Sequence, residues 1–315
     1  MAKGPSTTMR AVVFAYHEVG ARCLQTLLDG GVEVQLVITH TDDPNERIWF
    51  TSVAELARQS GIPVITPESA KAPEVQERIA LLAPDYIFSF YYRQMIPMSV
   101  LNLAKIAPLN MHGSLLPKYR GRVPINWAVL HGETETGATL HVMAEKPDAG
   151  DIVAQEAVPI GPDETAGDVF GKVTRAAAET LKRVLPQLLK GDVPRRPNPV
   201  SEGSYFGGRK PEDGRIHWEQ PAAQVYNLIR AVAPPYPGAF TDITTSRGVT
   251  RITVNAARRL DSPPNLAANL APGLHRVSAK VIGVCGDKMA VEITEFLVEG
   301  APGIPDALPE VTITH

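Results

Sequence analysis

Five short apolar runs within the first 114 residues constrain this chain most: "MRAVVFA" (9–15), "VEVQLVITH" (32–40), "IPVIT" (62–66), "DYIFSFYY" (85–92) and "APLNMHGS" (107–114). Helical periodicity separates most of them, with apolar positions spaced for one face from Ala21 to Leu28, in "WFTSVAELARQSG" (49–61) and in "EVQERIALLA" (74–83). Strands that alternate with helices of this length imply right-handed crossovers and a mainly parallel sheet covered on both faces. The expectation is an α/β, doubly wound, Rossmann-like domain. Ligands of such sheets sit outside the carboxyl ends of the strands, where loops and helix N-termini present unpaired donors. The first strand is followed by "FAYHEVGARC" and not by G-x-G-x-x-G, so nothing supports a dinucleotide cofactor.

A long helical pattern (165–191) is expected to close this domain, and "DVPRRPNPVSEGS" (192–204) has the Pro, Ser and charge density of a linker. Beyond it, a helix over 220–233, a "PPYPG" turn and short β-rich runs predict a smaller, β-rich, barrel-like C-terminal domain. The expected organisation is a disordered leader over 1–8, a catalytic domain over 9–191, a linker over 192–204 and a small domain over 205–315.

Lys and Arg number 31 against 34 Asp and Glu, a net charge of -3 that offers no broad footprint for nucleic acid. The two cysteines, Cys23 and Cys285, are too few and too far apart for a disulfide framework or a zinc site, and read as small core residues; the reducing cytoplasm is the expected compartment. No run reaches the roughly 18 apolar residues of a membrane span, so membrane insertion is not expected. His17, His40, His131, His141 and His217 lack metal-ligand spacing and read as structural or incidental, and no metal is expected.

Chemistry concentrates in "PLNMHGSLLPKYRGRVPINW" (108–127). Asn110 and His112 are two apart, so on a strand they share a face. A carboxamide can donate to a developing oxyanion and an imidazole can exchange a proton near neutrality, a pairing suited to attack on a carbonyl. The alternative is a strand end where both side chains satisfy neighbouring backbone groups. Asp148, in a turn bounded by Pro147 and Gly150 after another expected strand, supplies a carboxylate able to orient His112.

"NMHGSLLPKYRG" and "DAGDI" resemble the signature of the folate-dependent formyltransferases, and the likeness runs from Met9 to about Phe240. The resemblance implies 10-formyltetrahydrofolate as donor, an amine as acceptor, no metal, and Asn110, His112 and Asp148 as the catalytic trio. It further implies a folate site lined by Gln94, Met95, Ile96, Arg122 and the loop Ala144, Glu145, Lys146, Pro147 and Asp148. Tyr91, Tyr92 and Arg93, with Arg209 and Lys210, are candidates for the acceptor's diphosphate and base; solvent-facing turns are the alternative. "VFAYHEVG", "THTDDP", "IFSFYYR", "HGSLLPKYRGRVPINWAVLHGETETGATLH" and "FGGRKPEDG" are most similar to the subgroup that formylates UDP-4-amino-4-deoxy-L-arabinose, a step of lipid A modification linked to polymyxin resistance. The dehydrogenase domain of that subgroup's bifunctional members is expected to lie elsewhere.

Three rivals remain open: formylation of another UDP- or dTDP-linked amino sugar, a methionyl-tRNA formyltransferase, and a catalytically dead ligand-sensing homologue. A tRNA enzyme needs a basic C-terminal domain. From Tyr205 to His315 there are 11 Lys and Arg and 11 Asp and Glu, so small-molecule partners, and no nucleic acid, are expected. Intact Asn110, His112 and Asp148 argue against the dead homologue.

Overall fold

The computed structural model describes residues 8–44, 48–245, 248–260, 270–300, 308 and 310–311. The leader expected over 1–8 lies, apart from Thr8, outside the described residues. In chain order the elements are β1 (Arg10–Ala15), α1 (His17–Asp29), β2 (Glu33–Ile38), α2 (Val53–Gln59), β3 (Val64–Ile65), α3 (Pro73–Leu82), β4 (Tyr86–Phe90), α4 (Met98–Leu101), β5 (Ala107–His112), β6 (Arg120–Gly121), α5 (Pro124–Leu130), β7 (Glu135–Val142), β8 (Ile152–Pro159), α6 (Ala166–Leu188), β9 (Tyr205–Phe206), α7 (Ala222–Val232), β10 (Ala239–Thr245), β11 (Gly248–Arg259), β12 (Gly273–Val277), β13 (Lys280–Val284), β14 (Ala290–Val298) and β15 (Glu310–Val311). They fall into two compact units: residues up to Pro124 with Thr136–Val158 and Gly171–Phe206, and Ile125–Glu135 with Pro159–Phe170 and the chain from Gly207 onward.

The first unit is built on a seven-stranded sheet in the order β3-β2-β1-β4-β5-β7-β8. Strands β3 to β5 are parallel, and β7 joins β5 antiparallel. The α/β expectation therefore holds, with an antiparallel extension at one side. The order reverses between β1 and β4, which opens the crevice where doubly wound sheets bind ligands. Burial explains the pattern: Val12, Phe14, Leu36, Ile38 and Ile87 face one cluster with Val75 and Ile79 of α3. At the carboxyl ends, the Tyr16 amide donates to the Phe90 carbonyl (3.0 Å) and ties β1 to β4. Strand β4 stops at Phe90 because Tyr91 takes the left-handed region (φ 57) and turns the chain.

In the second unit six strands run β10-β11-β14-β13-β12-β15, antiparallel except for the β12–β15 pair. This agrees with the expected β-rich domain. Trp218, Val225, Tyr226 and Ile229 pack with Val254, Val281, Val291 and Ile293 to form its core. Gly283 is required there, since a Cβ would collide with the Trp218 ring.

Cys23 in α1 and Cys285 after β13 are free and fully buried, and burial pushes both thiols up, Cys285 to about 12. Among the described residues no helix is long and apolar enough to cross a membrane.

Candidate active site

The end of β5 carries Asn110 and His112 on one face, and the antiparallel register of β7 sets His141 opposite Asn110 and Thr139 opposite His112. Asp148 reaches the same place from the loop between β7 and β8. Its Oδ1 lies 3.7 Å from His112 Nδ1 and 3.4 Å from His141 Nε2. Its Oδ2 accepts the Gly121 N–H at 2.8 Å. Thus the structure brings the three expected residues together and adds a fourth, His141, which is 1% exposed.

Hydrogen-bond partners fix the proton positions. His112 Nε2 lies 2.8 Å from the Tyr119 carbonyl, which can only accept, so Nε2 carries a proton. Nδ1, too far from Asp148 for a hydrogen bond, is the ring atom left to exchange one. His141 Nδ1 is committed to the Val142 carbonyl at 2.9 Å. A neutral His141 therefore offers Nε2 only as an acceptor, and Asn110 Nδ2 donates to it at 3.0 Å. That contact orients the carboxamide and leaves its second N–H for another acceptor.

Burial alone would raise the Asp148 carboxyl. When the two imidazoles are charged, the attraction of His112, the hydrogen bond and charge of His141 and the Gly121 amide outweigh burial and hold it well below the ordinary carboxylate range. The backbone around it is strained: Tyr119 (φ 55), Val123 (φ 46) and Asp148 (φ 53) all occupy the left-handed region. Such residues cost about 1–3 kcal/mol each and persist where neighbours over-determine them.

The other expected residues are distributed as follows. Met95 is 56% exposed, whereas Ile96 is buried in the sheet's core cluster. Both ends of the Gln94 amide are bound to backbone, Oε1 by the Ala70 N–H and Nε2 to the Glu68 carbonyl, each at 2.8 Å. Arg122 is exposed and donates to the Arg93 carbonyl at 3.2 Å. Ala144, Glu145 and Lys146 are exposed, and Pro147 is half-buried.

Tyr91 closes over Gly113, where a Cβ would collide with its hydroxyl. Tyr92 stacks on His40 with ring centroids 4.2 Å apart, and the Arg93 guanidinium lies 4.6 Å above the Tyr16 ring. The Arg93 N–H donates to His40 Nε2 at 3.0 Å, which suits a neutral imidazole; burial and then the Arg93 charge lower His40 below the ordinary value. Arg209 and Lys210 belong to the second unit. There Arg209 lies over the Trp127 ring at 5.0 Å, and the Lys210 N–H donates to Asp213 at 2.6 Å.

His141 reads from the sequence as incidental, because its spacing from the other histidines fits no metal site. Its strand, "ETGATLHV", carries no local mark of the pairing with β5 that puts His141 beside Asn110. Among the described residues no group of three or more His, Cys, Asp or Glu is arranged to hold a metal ion.

Residues 9–185 match the family model described as formyl transferase, and residues 209–302 match that of the formyl transferase C-terminal domain. Among solved structures, the chain is similar to the N-formyltransferase from Helicobacter canadensis in complex with folinic acid and dTDP-3-aminofucose: 17% identity over 91% of this chain and 99% of that one, TM-score 0.66. It is similar to a 4-N formyltransferase from Francisella tularensis, at 23% identity over 76% of this chain and 94% of that one, TM-score 0.60. It also resembles HypX from Aquifex aeolicus in complex with tetrahydrofolic acid, at 20% identity over 98% of this chain and only 49% of that one, TM-score 0.63. These identities speak to the fold, while the two family matches together span most of the sequence: the chain belongs to the formyl transferase family.

Proposed function

We propose that this chain transfers a formyl group from 10-formyltetrahydrofolate to the amine of a nucleotide-linked amino sugar, and that UDP-4-amino-4-deoxy-L-arabinose is the acceptor, a cytoplasmic step of lipid A modification. The observation that carries the reading is the cluster of Asn110, His112, His141 and Asp148, built on the carboxyl half of β5 and the residues of antiparallel β7 that face it. The amine attacks the formyl carbon, negative charge builds on the formyl oxygen, the C–N10 bond breaks, and the proton lost by the amine ends on N10. In this scheme the free N–H of Asn110 faces the oxyanion. His112 exchanges the proton at Nδ1, and the ionised Asp148 stabilises the imidazolium that forms.

Exposed Met95 is suited to cover the face of a pterin, with the backbone of 94–96 and 144–148 and the Arg122 side chain bordering the folate. Ile96 supports that loop from the core. Tyr91, Tyr92 and Arg93 remain the proposed contacts for the acceptor. Support for the acceptor class comes from the Helicobacter canadensis protein, whose complex holds folinic acid and an aminofucose nucleotide. The UDP-arabinose assignment rests on the segment likeness described above. A dTDP-linked amino sugar is the second reading, favoured by that same complex.

The test is formyl transfer by purified protein given 10-formyltetrahydrofolate and, in separate reactions, the UDP-linked sugar, dTDP-linked 3-amino and 4-amino sugars, and methionyl initiator tRNA. Fastest turnover is expected with the UDP-linked sugar. It should fall only modestly from 50 to 200 mM salt, whereas tRNA held through 6–10 phosphates would lose about 10³–10⁵ in affinity. Preferred formylation of tRNA overturns the reading.

A further inference from the structure

The chain between α6 and β9 crosses the site. Arg196 and Ile152 exchange both backbone hydrogen bonds, each 2.9 Å, just past the Asp148 loop. Asn198 then donates through Nδ2 to the carbonyls of Asp148 and Gly150, at 3.0 and 3.2 Å, while its Oδ1 is buried without a partner. Following a 3-10 turn at Val200–Glu202, the Ser204 N–H donates to the Pro117 carbonyl (3.3 Å), its carbonyl accepts the Arg120 N–H (3.0 Å) and its Oγ accepts the Tyr119 N–H (2.8 Å). The Arg122 N–H completes the run on the Phe206 carbonyl at 2.9 Å. Two glycines permit this approach: a Cβ at Gly203 would collide with the Pro117 carbonyl, and one at Gly121 with that of Phe206.

The bonds converge on the two acid–base residues. The peptide unit between Tyr119 and Arg120 accepts the His112 Nε2–H at its oxygen and passes its own N–H to the Ser204 carbonyl. Hydrogen bonds in series polarise one another, so the strength of the His112 contact depends on how the strap holds this peptide. Ser204 Oγ fixes the preceding N–H, which keeps Tyr119 in its left-handed conformation. At the other end, Asn198 grips the carbonyl of Asp148, itself left-handed, and spends both amide hydrogens there. An amide oriented for its donors, with its oxygen left unpaired, is costly unless those two carbonyls need holding.

We propose that residues 196–206 form a positioning strap that sets the His112–Asp148 geometry, through Asn198 on the Asp148 loop and Ser204 on the peptide that anchors His112. The inference rests on the formyl-transfer reading. A misplacement of about 1 Å by a change outside the reacting groups can cost about 100-fold in rate. Ser204→Ala removes one hydroxyl, Ser204→Thr retains it, Asn198→Ala removes two donors, and Asn198→Asp sets a carboxylate against two carbonyls.

The experiment measures kcat and KM in the full-length chain, folate binding, thermal midpoint, and the ¹⁵N signals of the His112 ring. Expected are a kcat at least about 10-fold lower for Ser204→Ala and Asn198→Ala, with folate affinity within about 2-fold in Ser204→Ala, recovery in Ser204→Thr, and the largest loss in Asn198→Asp. The His112 Nε2–H signal should weaken or move in Ser204→Ala. Wild-type kcat and unchanged ring signals in both alanine variants, with only the thermal midpoint lowered, overturn the proposal and leave the strap a stabilising segment. If the wild-type chain formylates none of the offered acceptors, the formyl-transfer reading fails, and the ring signals of the variants still decide whether the strap holds His112.

Discussion

Asp148→Asn is the sharpest probe of the site, because it keeps the side chain's shape and removes its charge. The carboxylate faces His112 Nδ1 at 3.7 Å and His141 Nε2 at 3.4 Å. At an effective dielectric near 20, opposite unit charges about 4 Å apart attract by about 4 kcal/mol. The variant should therefore lose up to about that much stabilisation of the imidazolium formed at His112, or about 10³ in kcat. The Gly121 N–H, 2.8 Å from Oδ2, needs an acceptor, so the asparagine oxygen takes that position and its NH2 turns toward the two imidazoles. At the 3.7 Å that separates this position from His112 Nδ1 it is out of hydrogen-bond reach, so the lost charge is the whole of the defect expected at His112. Single-turnover formyl transfer, with folate binding and circular dichroism as controls, gives the answer. A folded Asp148→Asn chain within tenfold of wild-type kcat would refute the argument that this charge acts on His112.

Other outcomes follow from the same geometry. His141→Phe removes the acceptor that orients the Asn110 amide and should lower kcat about 10- to 100-fold with little change in KM; a raised KM with intact kcat would contradict a role through Asn110. Since the folded Asp148 carboxyl is held below its ordinary value, its contribution to stability is complete above about pH 4 and is lost as pH falls below that. The urea-measured stability difference between wild type and Asp148→Asn should shrink on acidification below about pH 4, by no more than about 1.4 kcal/mol per pH unit; a difference that grows toward low pH reverses the sign and refutes it. Gly283→Ala should destabilise the C-terminal unit by about 1–3 kcal/mol through its collision with the Trp218 ring, and an unmoved tryptophan-fluorescence midpoint would disprove that packing.

Strands β1 and β4 were legible in the sequence because each is an apolar run buried on both faces, and local composition reports that directly. Asn110 and His112 were legible for a related reason: their two-residue spacing fixes a shared face once β5 is a strand. Asp148 was marked by its turn between Pro147 and Gly150 and by its likeness to a known motif. What stayed hidden depends on which distant segments pair. Nothing local to "ATLHV" says that His141 lies opposite Asn110, since antiparallel addition of β7 to a parallel sheet has no signature in periodicity. The stretch 192–204 looks like a tether because its prolines and charges deny it regular structure, yet its backbone groups are taken up by Pro117, Arg120 and Ile152. The need for glycine at 121 and 203 arises only from the backbone across the gap. Ile96 shows the opposite limit: its loop was marked by resemblance, but its side chain turns into the core.

The buried, raised thiols of Cys23 and Cys285 make the folded chain a ready host for site-selective labels. Maleimide chemistry requires an accessible thiolate, and neither native side chain offers one at neutral pH. A fluorophore or spin label can therefore be attached at a single engineered position without first removing a native cysteine. Exposed Glu202, in the turn between Asn198 and Ser204, is well suited to such a reporter, and exposed Met95 is a second position from which to follow folate binding in real time.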